Sequence, residues 1–372
     1  MTDRPSVQLL DTGDFAPFFK APVLDGRPDW AFGSAAGAPT VVFLLGSAGH
    51  PAMQQALTVL LGRSDLYDDV RARLFTITCD HGDVAQRRIA QRLPGIRHFL
   101  DFDREVSRLY GACDATGDGY RPHILLLDRT LQVVRRFTLA QAGEVAPAIE
   151  RGDANAPQDW APVLTVPHLL GDDFCRALID VYDRDGGAES GFMREVDGKT
   201  TLVADTSFKR RRDANIENPA LRSALAARIN KVLVPAIRRT FQFHPTRIER
   251  YIVAAYDADG GGYFHAHRDN TTKGTAHRRF AVTINLNDDY EGGDLCFPEF
   301  GDRIYRAPKG GAVVFSCSLL HEATPMRRGR RYATLPFLYD DAAAAIREEN
   351  SRFLDTGVDR YVDGRTVEGI VP

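Results

Sequence analysis

The sequence predicts two domains of different class, an α/β domain followed by a double-sheet jelly roll. The chain has 372 residues, and one hydrophobic core seldom serves more than about 250–300 residues. Between residues 39 and 137, apolar β-branched segments alternate with amphipathic segments, a pattern typical of α/β layers. From residue 249 onward, short strand-like segments are separated by glycine-rich turns, which is typical of a double-sheet β fold.

The first domain, predicted for residues 1–150, is built from strands and helices in alternation. Residues 39–45 form a continuously apolar segment, as expected of a strand buried on both faces of a sheet. Further strands are predicted at residues 73–79, 99–102, 122–128 and 132–137. Helices are predicted at residues 52–61, 83–91 and 105–110.

A small, polar, proline-containing linker is predicted at residues 151–161, because such composition marks boundaries. The jelly roll is predicted for residues 162–340, and a helical C-terminal tail for residues 341–372. Two helices precede the strands, and apolar residues four apart in the second indicate that it packs along a sheet. These elements are a strand at 162–167, helices from 172 and at 219–241, and strands at 250–256, 279–287, 293–297, 312–317 and 332–338.

Composition excludes several classes of protein. The hydrophobic content of 44% and charged content of 26% are those of a globular protein. A net charge of −3 argues against nucleic acid as an obligate partner. No apolar run is long enough to span a bilayer or to form a signal peptide. The five cysteines form no CxxC pair, so reduced thiols and a cytoplasmic location are expected.

Two histidines and one aspartate form a candidate metal site. His267 and Asp269 are two residues apart, so they point to the same side of an extended segment. His321 follows about fifty residues downstream, and two imidazoles with one carboxylate are the ligand set of a facial-triad Fe(II) site. His265 forms a competing pair with His267, although it is expected to be a surface or core residue without a metal.

The flanks of these residues resemble the prolyl-4-hydroxylase-type 2-oxoglutarate and Fe(II)-dependent dioxygenases. The resemblance spans about residues 162–340. The motifs that carry it are Tyr256-x-x-x-Gly260-Gly-x-Tyr263-x-x-x-His267-x-Asp269, Thr283-Ile-Asn-Leu-Asn287 with Glu291-Gly-Gly-Asp-Leu295, Pro308-x-x-Gly311-x-x-x-Phe315, His321-Glu-Ala-Thr-Pro325 and Gly329-Arg-Arg-Tyr332.

The resemblance implies a role for each matching residue. His267, Asp269 and His321 would hold Fe(II), with no catalytic residue beyond these ligands. Arg331, rather than its neighbour Arg330, would bind the distal carboxylate of the cosubstrate 2-oxoglutarate, since a guanidinium fork suits a carboxylate. Further consequences concern the cosubstrate pocket, the cofactors and two cysteines. Tyr256 and Asn285 would contact 2-oxoglutarate. O2 would be consumed, and ascorbate would support turnover. Cys296 and Cys317 are expected to pack away from the iron.

Residues 8–150 resemble the peroxiredoxin-like branch of the thioredoxin fold. The resemblance rests on Gly13-Asp14-x-Ala16-Pro17-x-Phe19, Leu24-Asp25-Gly26, Val41-Val-Phe-Leu44 and Arg121-Pro-His-Ile-Leu-Leu-Leu-Asp128. The peroxidatic cysteine of that family is missing, since no cysteine occurs before Cys79, which is expected in the core. This domain is therefore predicted to be redox-inactive and to serve in docking or scaffolding.

The expected function is hydroxylation of an unactivated C–H bond with release of succinate and CO2. The substrate would be a peptidyl residue, as for prolyl hydroxylases, or a small metabolite. The alternative is a non-catalytic scaffold built from two degenerate enzyme domains. The arginine run at residues 210–212 is interpreted as a solvated face rather than a substrate contact, and the sequence indicates no oligomeric state.

Overall fold

A computed structural model of the chain describes residues 9–114, 116, 119–155, 160–356 and 358. The chain divides into two compact units, Met1–Asp159 with Pro298–Gly301, and Trp160–Phe297 with Asp302–Pro372. Within the predicted linker, residues 156–159 lie outside the described residues. The same holds for residues 1–8 and, in the predicted tail, for residues 357 and 359–372.

The first unit is an α/β layer structure, which confirms the predicted class. Its main sheet has the order β5-β4-β3-β6-β7, in which β3 pairs in parallel with β4 and antiparallel with β6. Its strands are β1 (Lys20–Ala21), β2 (Trp30–Ala31), β3 (Thr40–Gly46), β4 (Arg73–Thr78), β5 (Ile96–Leu100), β6 (His123–Leu127) and β7 (Val133–Phe137). Its helices are α1 (Pro51–Leu61), α2 (His81–Ala85), α3 (Glu105–Leu109) and α4 (Ala142–Glu150). Every residue of β3 is buried, as expected for a central strand.

Two predictions for this unit were wrong in detail. The helix predicted at residues 83–91 ends at Ala85, because the chain reaches a left-handed conformation at Arg87 (φ 52°) that a helix cannot continue through. Cys79 is half-buried rather than in the core. Its Sγ lies 3.2 Å from Ser107 Oγ, and burial raises the pKa of its thiol to about 11.

The start of α1 is occupied by internal hydrogen bonds. Ser47 donates its hydroxyl to Asp80 (Oγ–Oδ2 2.6 Å), and the Ala48 amide donates to Asp83 (N–Oδ2 2.9 Å). The His50 ring accepts from the Ala52 amide, which caps the helix. The backbone N–H groups here are therefore used within the fold.

The second unit contains two antiparallel sheets, which confirms the predicted jelly roll. The larger sheet has the order β14-β25-β17-β24-β15-β13-β9, and β21 joins it by pairing with β17 and β8. The smaller sheet has the order β12-β16-β22-β19-β20. Two short ribbons, β10-β11 and β18-β23, complete the strand pairs.

The strands of this unit are β8 (Leu164–Val166), β9 (Ala188–Glu189), β10 (Phe192–Val196), β11 (Lys199–Val203), β12 (Lys209–Arg210), β13 (Arg212–Asn215), β14 (Arg247–Glu249), β15 (Ile252–Asp257), β16 (Tyr263–His267), β17 (Phe280–Asn285), β18 (Glu291–Gly292), β19 (Leu295–Cys296), β20 (Ile304–Tyr305), β21 (Ala312–Ser316), β22 (His321–Ala323), β23 (Met326–Arg328), β24 (Arg330–Thr334) and β25 (Phe337–Tyr339). The helices are α5 (Asp172–Asp185), α6 (Pro219–Arg228), α7 (Val234–Phe241) and α8 (Asp341–Asn350).

Helices α5 to α7 cover the larger sheet. Their buried residues, which include Leu178, Leu225 and Ile237, share one core cluster with Val253 and Ile284 of the sheet. The helix predicted at residues 219–241 is interrupted by a π-helical turn between α6 and α7. The apolar spacing of four residues continues through this turn, so periodicity could not reveal it.

The strand predicted at residues 332–338 was wrong as a single element. It is divided between β24 and β25, because Pro336 lies between them and a proline cannot donate to a sheet ladder. Within the described part of the chain, none of the helices combines the length and the apolar character needed to cross a bilayer.

Candidate active site

The smaller sheet places the two candidate histidine ligands opposite each other. His267 ends β16 and His321 begins β22, and the two residues are direct cross-strand partners. Asp269 follows two residues after His267, with its carboxylate 3.6 Å from His267 Nε2 and 3.3 Å from His321 Nε2. One ligand atom from each residue falls within 4.8 Å of the others. Strand pairing therefore joins ligands that are far apart in sequence.

Backbone carbonyl groups orient both imidazole rings. His267 Nδ1 is 2.8 Å from the carbonyl oxygen of His265, and His321 Nδ1 is 3.0 Å from that of Leu319. A carbonyl can only accept, so each Nδ1 carries the proton and each Nε2 keeps its lone pair. Both Nε2 atoms face Asp269, which is how metal-binding histidines are held in proteins.

Electrostatics favour the protonation states that bind a cation. Burial and, to a smaller extent, the neighbouring His267 lower the pKa of His321 to about 4. Burial alone would raise the pKa of Asp269, but the adjacent His321 and His267 outweigh it and hold that pKa well below its usual range. A neutral imidazole and an ionised carboxylate are the forms that bind a divalent metal, so these donors fit Fe(II).

The three residues open into a cavity of about 70 Å³ between the two sheets. Arg331 of β24 and Tyr256 of β15 line the same cavity, and they are direct cross-strand partners in the larger sheet. The rings of Phe264 and Phe315 pack against the histidines from the cavity wall, with centroids 3.5 Å from His267 and 4.6 Å from His321 respectively. A positively charged group thus shares a largely enclosed space with the candidate metal ligands.

Arg331 is a buried cation surrounded by neutral oxygen acceptors. Its guanidinium donates to Thr283 Oγ1 at 2.8 Å, to Asn285 Oδ1 at 2.9 and 3.2 Å, and to the Gly293 carbonyl at 2.7 Å. The side chain is 4% exposed and forms no ion pair with any residue that the structure describes. A buried charge without a counterion is costly, so the site favours an anionic ligand.

Tyr256 has a hydroxyl that is available to donate. The guanidinium of Arg211 donates to this oxygen (Nη1–Oη 3.4 Å), which leaves the phenolic hydrogen free for another acceptor. Arg211 itself is fixed by a bidentate pair with Asp213, in which both distances are 2.7 Å. The ring of Tyr256 also faces Arg331, 5.5 Å from its guanidinium carbon.

The structure places the remaining predicted residues as follows. Asn285 is not among the residues that line the cavity; it lies behind Arg331 and accepts hydrogen bonds from its guanidinium. His265 is exposed and lies outside the ligand cluster. Arg330 points away to pair with Asp257. The buried thiols of the jelly roll, Cys296 and Cys317, do not line the cavity.

Two arginines were missed as cavity residues. Arg211 was interpreted as part of a solvated run, but it is buried and lines the cavity. Asp213, two residues later on the same face, was the signal that could have revealed a buried ion pair. Arg250 also lines the cavity, and nothing in its local sequence distinguishes it from a surface arginine.

Comparison with known proteins identifies the class of this unit. Residues 251–339 match the model of the 2OG-Fe(II) oxygenase superfamily. A PKHD-type hydroxylase of Cupriavidus metallidurans is 29% identical over 156 residues, which cover 37% of this chain and 64% of that protein. The chain spans 54% of the length of two further PKHD-type hydroxylases, both from Synechococcus.

Solved structures resemble each part of the chain at low identity. A prolyl hydroxylase from Trichoplax adhaerens, solved with a hypoxia inducible factor peptide, has 17% identity and a TM-score of 0.38, covering 50% of this chain and 86% of that one. Peroxidoxin BcpB of Mycobacterium tuberculosis has 19% identity and a TM-score of 0.33, covering 38% of this chain and 97% of that one.

The second unit is therefore a jelly roll of the oxygenase class. More particularly, it contains a 2OG-Fe(II) oxygenase domain, and its cavity contains both the metal-ligand cluster and Arg331.

Proposed function

We propose that this protein is an Fe(II)- and 2-oxoglutarate-dependent dioxygenase. It hydroxylates an unactivated C–H bond of a peptidyl residue, of the prolyl type, or of a small metabolite, and releases succinate and CO2. The observation that carries the proposal is the pairing of a two-histidine, one-carboxylate cluster with a buried, counterion-free arginine in one cavity.

Each residue has a defined part in binding. His267, Asp269 and His321 hold Fe(II), which when bound supplies oxygen activation coupled to oxidative decarboxylation of 2-oxoglutarate. The carbonyl-bound Nδ1 protons keep both imidazoles turned toward the metal. Ascorbate acts as the reductant that keeps the metal in its ferrous state.

Residues of the larger sheet bind the cosubstrate. Arg331 binds the distal carboxylate of 2-oxoglutarate through its buried charge and the Nη1 hydrogen that its contacts with Thr283, Asn285 and Gly293 leave unused. The Tyr256 hydroxyl donates to the same ligand. Phe264 and Phe315 exclude water beside the ligating imidazoles, because their rings pack directly against those of His267 and His321. The residues thus orient two reactants and keep the cavity dry.

The test is succinate formation from 2-oxoglutarate in the presence of Fe(II) and ascorbate. The wild-type protein should form succinate, and His267→Ala should reduce formation to the level of the metal-free control. His265→Ala is the matched control, since this histidine is exposed and lies outside the cluster. Equal background from the wild type and His267→Ala would favour the alternative, a non-catalytic scaffold with a degenerate site.

A further inference from the structure

The cavity contains a second arginine that the proposed chemistry does not use. Arg250 lies between β14 and β15 and lines the cavity. Its Nε is buried and has no hydrogen-bond partner, and its guanidinium packs over the ring of Phe337 at 5.0 Å. Among the residues that the structure describes, none forms an ion pair with it.

Two other guanidinium groups near the cavity, apart from Arg331, are paired with carboxylates. Arg211 forms its bidentate pair with Asp213, and Arg278 binds Glu249 at 2.7 Å. Arg250 lies close enough to both arginines for their positive charges to lower its pKa. Because Asp213 and Glu249 are engaged by those two arginines, neither carboxylate forms an ion pair with Arg250.

The backbone of Arg250 is also unusual. It has φ of +77°, a left-handed conformation that a long side chain seldom adopts. Residues held in such conformations cluster at ligand sites, because the surrounding structure must stabilise them. Here the conformation turns a cationic side chain into the cavity instead of toward solvent.

The nearby carboxylates cannot neutralise Arg250 once the site is loaded. Asp213 and Asp269 are the acidic groups that act on it, but Asp213 is engaged by Arg211 and Asp269 is a proposed metal ligand. Burial lowers the pKa of Arg250 to about 10, so it remains charged at neutral pH. Glu322 lines the cavity too, but it acts on His265 and His267 rather than on Arg250.

We propose that Arg250 binds an anionic group, a carboxylate or a phosphate, on the molecule that is oxidised. The proposal rests on the proposed function, in which His267, Asp269 and His321 would hold the metal and Arg331 would bind the distal carboxylate of 2-oxoglutarate. Arg250 is the remaining cation without a partner among the described cavity residues. The primary substrate is therefore an anion.

The rest of the cavity wall fits the uncharged part of such a substrate. Between the arginines and the metal ligands, the lining is mainly apolar and consists of Ala281, Val282, Leu295, Leu335 and Phe337. A compact apolar body with one anionic end matches this distribution. An anion bound at Arg250 would hold that body within the cavity that also contains the metal ligands.

The test measures binding and does not require turnover. The full chain is loaded with Mn(II) and saturating 2-oxoglutarate, and N-acetylglycinate, acetate and inorganic phosphate are titrated by calorimetry. The wild type should bind at least one of these anions saturably and should not bind the uncharged match N-acetylglycinamide. Arg250→Gln should weaken anion binding about tenfold or more, since it removes one partner of a buried charge pair, and Arg250→Lys should retain most of it.

Two controls separate this site from the others. The 2-oxoglutarate affinity of Arg250→Gln should equal that of the wild type, which also shows that the variant is folded. Arg210→Gln should leave anion binding unchanged, because this neighbouring arginine is exposed and donates only to the backbone carbonyls of Thr206 and Gly260. The carboxylate and phosphate titrations distinguish the two possible anionic groups.

Three results would overturn the proposal. They are equal anion binding by the wild type and Arg250→Gln, no binding of any of the three anions, and a loss of 2-oxoglutarate affinity in Arg250→Gln that assigns this residue to the cosubstrate. Failure of the wild type to bind Mn(II) and 2-oxoglutarate would instead refute the proposed function.

Discussion

The hydrogen bonds of Arg331 organise the cosubstrate end of the cavity before any ligand binds. Its Nε and both terminal nitrogens have fixed acceptors in Thr283, Asn285 and Gly293. The guanidinium plane is therefore oriented in advance, and little side-chain freedom remains to be lost when a carboxylate arrives.

Replacing Arg331 should separate cosubstrate binding from metal binding. Arg331→Gln should weaken 2-oxoglutarate binding roughly 30-fold or more, because truncating one partner of a buried charge pair costs about 2–5 kcal/mol. Arg331→Lys should restore only part of the affinity, since an ammonium lacks the planar fork. Calorimetry with 2-oxoglutarate on Mn(II)-loaded protein measures both, and Mn(II) affinity itself should be unchanged.

Asn285 acts on the same ligand through Arg331. Its Oδ1 accepts twice from the guanidinium, and its Nδ2 donates to the Ala307 carbonyl at 2.7 Å. Asn285→Ala should weaken 2-oxoglutarate binding several-fold, less than Arg331→Gln does, because the cation remains but loses its orientation. In the double variant the two effects should not add, whereas full additivity would mean that Asn285 acts independently.

At the scale of single residues, the sequence predicts the site residues whose role follows from their neighbours in the chain. The spacing of His267 and Asp269 fixes a common direction, and the motif around His321 identifies the third ligand. Arg250 and Arg211 could not be assigned in this way, because the burial of each depends on strands that are distant in sequence. Asn285 was placed on the correct strand, but only the cross-strand geometry shows that Arg331 stands between it and the cavity.

At the level of elements, the turn before β21 depends on one glycine. Gly310 has φ of +73°, and a Cβ at this position would lie 2.2 Å from the carbonyl oxygen of Leu170. Its own carbonyl accepts from the amides of Leu169 and Leu170, which lead into α5. The turn and the start of the helix are thereby joined through backbone contacts that leave no room for a side chain.

Gly310→Ala should destabilise the second unit by about 2 kcal/mol or more, since it adds a backbone clash to the cost of a left-handed alanine. Gly198→Ala is the matched control, because Gly198 has a similar φ of +74° with open space around it. Urea unfolding should show a clearly larger loss for Gly310→Ala. Equal losses would mean that the turn relaxes and that only the backbone conformation matters.

Most elements were predictable from their apolar pattern, which is continuous in the buried strand β3 and periodic in the helix α5. The misplaced boundaries have local backbone causes that periodicity does not contain. Arg87 ends α2 in a left-handed conformation, Pro336 separates β24 from β25, and the π-helical turn after α6 preserves the apolar spacing. Each is a matter of one residue or one hydrogen bond within an otherwise regular pattern.

At the scale of the whole molecule, the first unit contains two buried histidines that oppose protonation. Burial lowers the pKa of His98 and of His123 below the ordinary value of a histidine. His98 lies between Thr76 Oγ1 at 2.6 Å and the Ala90 carbonyl at 3.0 Å, and the buried Nε2 of His123 has no hydrogen-bond partner. The folded chain therefore holds both rings in neutral form at neutral pH.

These histidines should make the first unit sensitive to acid. Below about pH 6.5, the ordinary pKa of histidine, the unfolded chain binds protons that the folded chain does not. The stability is therefore fully present at higher pH and falls as the pH decreases. Thermal unfolding should show that the wild type loses stability between pH 7.5 and 5, and that His98→Gln and His123→Gln each lose less. A double variant with the same pH dependence as the wild type would contradict this prediction.

The hydrogen bonds at the start of α1 disfavour a reactive thiolate at position 47. A cysteine introduced as Ser47→Cys would replace the hydroxyl that lies 2.6 Å from the Asp80 carboxylate. A neighbouring negative charge raises the pKa of a thiol, so the introduced sulfur would remain protonated and unreactive, which the pH dependence of its alkylation would measure. A reactive thiolate at this position would therefore require the loss of Asp80 as well as the gain of a cysteine.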